Sequence, residues 1–255
     1  MQIFVVDAFT SQPFKGNPAA VVIVEEFPSD EMCLKIAGEM NLSETAFVKK
    51  AAVKQFYIRW FTPLVEAKLC GHATLAAAHI LFEQGITNTL HFDSLSGLLT
   101  VEKNEKGITL DFPLQETGDS IKLENILPVP MISAVKAHDC IIIELENEPT
   151  VRTLQVNPEE LIKVDCRGII VTAKGEGQYD FISRFFAPKV GIHEDPVTGS
   201  AHCKLAHYWM KKLQKTTFKA YQASKRGGEL FLEIKEDRVH ITGKAVTILA
   251  GKIHL

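Results

Sequence analysis

Cysteine is sparse in this 255-residue chain. The five thiols (Cys33, Cys70, Cys140, Cys166, Cys203) are odd in number, widely scattered and never in a C-x-x-C arrangement. That spacing argues against both a disulfide framework and a zinc finger, and reduced thiols are expected. Long hydrophobic runs are missing as well: none approaches the roughly 20 residues that a membrane-spanning helix requires. The opening MQIFVVDAF enters a strand pattern with no basic stretch ahead of it, so the chain reads as cytoplasmic. Nor is there an excess of cations, since 28 Lys and Arg stand against 31 Asp and Glu for a formal net charge of −3. Neither a nucleic-acid backbone nor an anionic membrane surface is an expected partner; a small molecule is. What the chain does have is apolar mass, with 46% hydrophobic residues. That is enough for one large core or two small ones, and it excludes disorder as the main state.

Short alternating or β-branched runs dominate, among them Gln2–Ala8, Ala19–Val24, Gln55–Phe61, Cys140–Glu144, Gly168–Ala173, Tyr179–Phe186 and Ala245–Leu249. Helical patterns are few: Ser29–Met40 behind a Ser29 cap, Gly71–Gln84, Pro158–Lys163 and Gly199–Leu213. Strands and helices do not alternate regularly, which disfavours a Rossmann or TIM topology. Two helices share a peculiarity. Ala73–Phe82 is apolar around nearly its whole circumference, and Ala201–Trp209 is similar, broken chiefly by His202, Lys204 and His207. A helix of that kind must be buried on all sides, so two cores are expected, each a helix inside a curled sheet.

The segments before these helices look like copies. Tyr57–Pro63 (YIRWFTP) and Ile182–Pro188 (ISRFFAP) share Arg, an aromatic, Phe and Pro, and each leads through an acid-containing turn to a Gly-led helix. Duplication is the natural reading. The polar stretch Leu114–Lys122 is the expected boundary, dividing residues 1–115 from 116–255. The last strand then has two options, staying in the second unit or crossing back to the first.

The chemistry-bearing residues cluster at these turns. Gly71 and Gly199 begin helices where backbone N–H groups are unpaired, which suits an anion; a glycine there also simply permits a tight turn. Glu44, where a strand begins, and Asp195, four residues before Gly199, are general acid/base candidates if covered, and surface carboxylates if not. The run GIHEDPVTGSAHC at 191–203 suggests a metal site at first sight, but its spacing fails. Cys203 and His207 share a helix face while His202 points elsewhere, and alternate side chains of His193–Asp195 diverge. A nucleophile elbow fails because Thr198–Ser200 lacks the G-x-S-x-G frame. Cys70 with His72 is a possible thiol pair at a helix start, although buried thiols are more often inert.

Taken together, D-A-F-T at 7–10, F-K-G-N-P-A-A-V at 14–21, N-L-S-E-T-A-F at 41–47, C-G-H-A-T at 70–74 and E-D-P-V-T-G-S-A at 194–201 resemble the PhzF (phenazine biosynthesis-like) family in order and spacing over nearly the whole chain. The resemblance implies a diaminopimelate-epimerase-like α+β fold. In that fold two pseudo-symmetric lobes each wrap a barrel-like, mostly antiparallel sheet around a central buried helix, with the active site between them. It implies a homodimeric, cofactor-independent isomerase with no metal, moving a proton on a small carboxylic acid. By the same resemblance Glu44 is the general acid/base, and Asp195 and His72 are catalytic partners. Asn17, Gly71, Gly199, Ser200 and Arg226 bind substrate. The distant epimerases use a thiol from each lobe; Cys70 resembles the first, but Thr198 stands at the second place, and its hydroxyl is too weak an acid for that duty. Single-base transfer by Glu44 is the expectation. The alternatives are a scaffold of the same fold that binds protein partners without turnover, and a Cys70-dependent lyase or hydrolase.

Overall fold

The computed structural model describes all 255 residues. The chain divides into two compact units, Met1–Asp111 with Thr242–Leu255, and Phe112–Ile241.

In the first unit β1 (Gln2–Ala8), β2 (Asn17–Val24), α1 (Asp30–Met40), β3 (Glu44–Ala52), β4 (Gln55–Phe61), the short β5 (Glu66–Ala67), α2 (Gly71–Glu83), β6 (Thr89–Ser94), β7 (Gly97–Asn104) and β8 (Gly107–Pro113) follow in order. Strand β1 pairs antiparallel with β2, β2 runs parallel to β3, and β3 is antiparallel to β4. Strand β4 runs parallel to β6, and β7 and β8 continue antiparallel. The parallel pairs exist because α1 and α2 carry the crossovers, so strand–helix–strand links are present inside a mostly antiparallel sheet.

Helices cover both faces of this sheet, and the composition of β2 follows from that. Ala20, Val22 and Val24 join the cluster under α1 that includes Cys33, Ile36 and Phe47. Ala19 and Val21 on the other face are also fully buried, and α2 packs against β1, β2 and β3. A strand buried on both faces is continuously apolar rather than alternating. Helix α2 is itself buried from His72 to Ala78 and from Ile80 to Phe82, as its all-round apolar pattern requires.

The second unit repeats the plan. Strands β9 (Ser133–Ala137) and β10 (Cys140–Glu144), helices α3 (Glu148–Thr153) and α4 (Pro158–Ile162), and strands β11 (Gly168–Lys174), β12 (Phe181–Ala187) and β13 (Ile192–Asp195) lead to α5 (Gly199–Leu213). Strands β14 (Thr217–Gln222), β15 (Gly228–Lys235) and β16 (Arg238–Gly243) follow. Again an antiparallel pair (β9, β10) is followed by a parallel one (β10, β11), an antiparallel one (β11, β12) and a parallel one (β12, β14). The polar interruptions of α5 are buried nonetheless, each with one polar atom against a partner, while His202 Nε2 has none. His202 Nδ1 lies 2.8 Å from Thr198 O, Lys204 Nζ lies 3.2 Å from Asp139, and His207 Nδ1 accepts from Thr117 N.

Helix α3 and strands β5, β6, β9, β13 and β14 are not among the segments expected from the pattern; all are short. The last strand, β17 (Ala245–Lys252), pairs antiparallel along β1 and so belongs to the first unit. No helix is long and apolar enough to cross a membrane.

Candidate active site

In the first unit the chain between β1 and β2 is folded back by Asp7, whose Oδ2 accepts from Phe14 N at 2.7 Å. Gly16 follows with φ of +64°, and a Cβ there would lie 2.1 Å from the Ala8 carbonyl oxygen. Only glycine fits that approach, and it delivers Asn17 fully buried at the start of β2. Asn17 Nδ2 lies 3.2 Å from Nδ1 of His72, the second residue of α2, and Cys70 Sγ lies 3.6 Å from the same nitrogen. On the opposite side of the ring, His72 Nε2 is 3.3 Å from Glu44 Oε2. With the Asn17 amide donating to Nδ1, the imidazole proton sits on Nε2, which lies beside the carboxylate without making an aligned hydrogen bond. Burial pushes His72 down to about 3, so its ring is neutral at neutral pH. Glu44 begins β3 and its side chain is only 17% exposed.

Glu44, Cys70 and His72 bring ligand-type atoms within 4.8 Å of one another, a set that could contact a cation. The thiol and the carboxylate, however, address opposite nitrogens of the ring, so one ion bound to either nitrogen is turned away from the other partner. The arrangement is a ring flanked on its two sides rather than a set of ligands converging on one point.

In the second unit Asp195 ends β13 and is 9% exposed. Its Oδ2 accepts a short hydrogen bond from Thr198 Oγ1. Thr198 is the N-cap of α5, with Gly199 buried and Ser200 partly exposed as the first helical residues. Neither Thr198 nor Cys70, the N-cap of α2, caps its helix with its side chain, so both helix starts keep backbone donors for an anion. Arg226 lies in the turn between β14 and β15, where Ser224 Oγ donates to Pro196 O at 2.8 Å. The other members of the 191–203 run disperse. His193 is exposed, Glu194 pairs with Arg184, His202 stacks on Phe181, and Cys203 is a buried thiol pushed up to about 12 by desolvation.

The structure thus gathers Asn17, Glu44, Gly71 and His72 in one unit, and Asp195, Gly199 and Ser200 in the other. Two site neighbours escaped the sequence reading. Asp7 falls in the D-A-F-T block without an assigned duty. Gln222 shows no local signal at all, yet it is fully buried against Asp195 and Thr198.

A model of the phenazine biosynthesis-like protein family (PhzC-PhzF) matches residues 6–251. The chain belongs to that family. An uncharacterised isomerase of Pseudomonas aeruginosa is 48% identical, covering 98% of this chain and 97% of its own. The crystal structure of a PhzF-family protein from Enterococcus faecalis superposes with a TM-score of 0.95 at 43% identity, covering 100% of this chain and 99% of that one. A probable proline racemase from Agrobacterium radiobacter, crystallised with carbonate, shares the fold alone: TM-score 0.68 at 11% identity, over 100% of this chain and 93% of that one. The PhzF-family chain described here is therefore an isomerase of the α+β, epimerase-like fold.

Proposed function

We propose that this PhzF-family isomerase moves a proton on a small carboxylic acid, with Glu44 taking the proton from carbon and returning it, without an organic cofactor or metal. The observation that carries the reading is the contact between the largely covered Glu44 carboxylate and a neutral, fully desolvated imidazole at 3.3 Å. His72 at that distance neighbours the carboxylate without offering a competing positive charge. The starts of α2 and α5 supply uncapped backbone donors suited to the substrate carboxylate and to charge developing on an enolate-like intermediate. Asn17 holds His72, Asp195 and Ser200 orient the substrate, and Arg226 contributes positive charge.

General acid/base catalysis by a positioned side chain is worth about 10²- to 10⁴-fold in rate. The test is proton exchange: hydroxy- or amino-substituted cyclic carboxylic acids are incubated with the enzyme in deuterated water, and label uptake is followed by NMR. Glu44→Gln should slow exchange by about 10²-fold or more with an unchanged circular dichroism spectrum. Cys70→Ala should keep most of it. Exchange that persists in Glu44→Gln and vanishes in Cys70→Ala would move the base to the thiol.

A further inference from the structure

Gln222 ends β14, is fully buried, and makes three hydrogen bonds to one turn. Its Oε1 accepts from Thr198 N at 2.9 Å, and its Nε2 donates to Asp195 O at 2.7 Å and to Thr198 Oγ1 at 3.2 Å. The first two contacts fix which end of the amide is which, because a backbone N–H only donates and a carbonyl only accepts. The third then has a direction. Thr198 Oγ1 accepts a hydrogen bond from the amide, so its own hydroxyl hydrogen is turned toward Asp195 Oδ2, the contact already described. The chain runs Gln222 amide to Thr198 hydroxyl to Asp195 carboxylate, and at its far end it demands an acceptor.

The internal repeat supplies the control. The Arg59 and Arg184 motifs align Tyr57 with Ile182; since Tyr57 pairs with Asp93 and Ile182 with Tyr221, the counterpart of Gln222 is Ser94. Ser94 directs its hydroxyl into its own hairpin, donating to Gly97 O at 2.8 Å. Glu66 and Glu194 each stand five residues before the helix-leading glycine, so the counterpart of Asp195 is Ala67. The amide and the acid occur together in the second unit and are both missing from the first.

We infer that Gln222 is a positioning residue that, through the Thr198 hydroxyl, fixes Asp195 Oδ2 as a hydrogen-bond acceptor. The inference rests on the isomerase reading for its effect on turnover, but not for its effect on Asp195 itself. The duty this gives Asp195 is to hold and orient, with Oδ2 kept in one position by the Thr198 hydroxyl.

Two variants break the chain at different links. Gln222→Glu keeps the size and the acceptor for Thr198 N but loses both donors and attracts the Thr198 hydroxyl to itself. Thr198→Val removes the hydroxyl with little change of shape, and Thr198→Ser restores it. The readouts are the side-chain carboxyl carbon resonance of Asp195 at neutral pH, assigned by its loss in Asp195→Asn, and the kcat and KM of proton exchange. Gln222→Glu and Thr198→Val should both displace the Asp195 resonance and lower kcat by about tenfold or more, the loss expected for one charge-assisted hydrogen bond. Thr198→Ser should return the resonance to its wild-type position. A folded Gln222→Glu enzyme whose Asp195 resonance and kcat both match wild type overturns the inference, as does a shift in Thr198→Val that Gln222→Glu fails to reproduce. If wild type exchanges no candidate acid, the isomerase substrate reading fails while the resonance still decides the role of Gln222.

Discussion

His72 and His202 lie in the first turns of the two central helices, both fully enclosed and both neutral. Burial holds His72 at about 3 and His202 at about 4, against about 6.5 for an exposed imidazole. Between those values the unfolded chain binds protons that the folded chain refuses, so stability is unaffected well above pH 6.5 and declines as pH falls toward 4. At pH 5 His202 alone should cost about 2 kcal/mol relative to pH 7.5. Urea unfolding of wild type and His202→Asn at the two pH values checks this: the variant should lose about 2 kcal/mol less on acidification, and equal losses would refute it. At this scale legibility followed chemistry. Asp195 and His72 carry groups whose position beside a Gly-led helix attracts notice in the sequence, and Glu44 is an acid at the start of an apolar strand. Gln222 is an unremarked amide in a strand whose duty depends on the parallel register of β12 and β14, a pairing that no local pattern encodes.

The repeated Arg motif becomes intelligible as an element. Arg59 on β4 stacks on Phe61 at 4.9 Å, grips both oxygens of Glu66 on β5 at 2.7 and 2.8 Å, and reaches Asp30 at the start of α1. Arg184 on β12 stacks on Phe186 at 4.9 Å, grips Glu194 on β13 at 2.7 and 3.0 Å, and donates to Leu154 O at the end of α3. Each guanidinium ties the short strand that leads into the central helix to the helix covering the sheet, so it sets where Gly71 or Gly199 emerges. Arg184→Met strands Glu194 and should destabilise the second unit by about 3 kcal/mol. Arg184→Lys should recover only part, since an ammonium cannot form the bidentate pair. Thermal melts of the three proteins test this, and a lysine variant as stable as wild type would show that the fork geometry is dispensable. The arginines were visible in the sequence as a repeat. Their glutamates were not, because the intervening turns differ in length, with the partner seven residues on in one copy and ten in the other.

For the molecule as a whole, two largely apolar buried helices were readable from composition and periodicity, because a helix without a polar face has nowhere to be except inside. The destination of the last strand was not, since an alternating run fits any open sheet edge. It lies along β1, with Val5 opposite Leu249 and Asp7 opposite Val246. A chain ending at Lys244 should therefore damage the first unit and spare the second, although the deletion adjoins the second in sequence. Hydrogen exchange read by mass spectrometry would show protection lost in β1 and β2 and kept in β10 and β11; the reverse pattern would refute the assignment.

The same pairing sets an order of events during synthesis. Residues 112–241 form a contiguous unit that can fold as soon as it emerges from the ribosome. The first unit must wait for β17 with one edge of β1 unsealed. At about 5–20 residues per second, that wait lasts roughly ten to fifty seconds. The half of the protein made first is the last to close, and in that interval its exposed β1 edge is the nascent chain's point of vulnerability to aggregation and its natural place of contact for a chaperone.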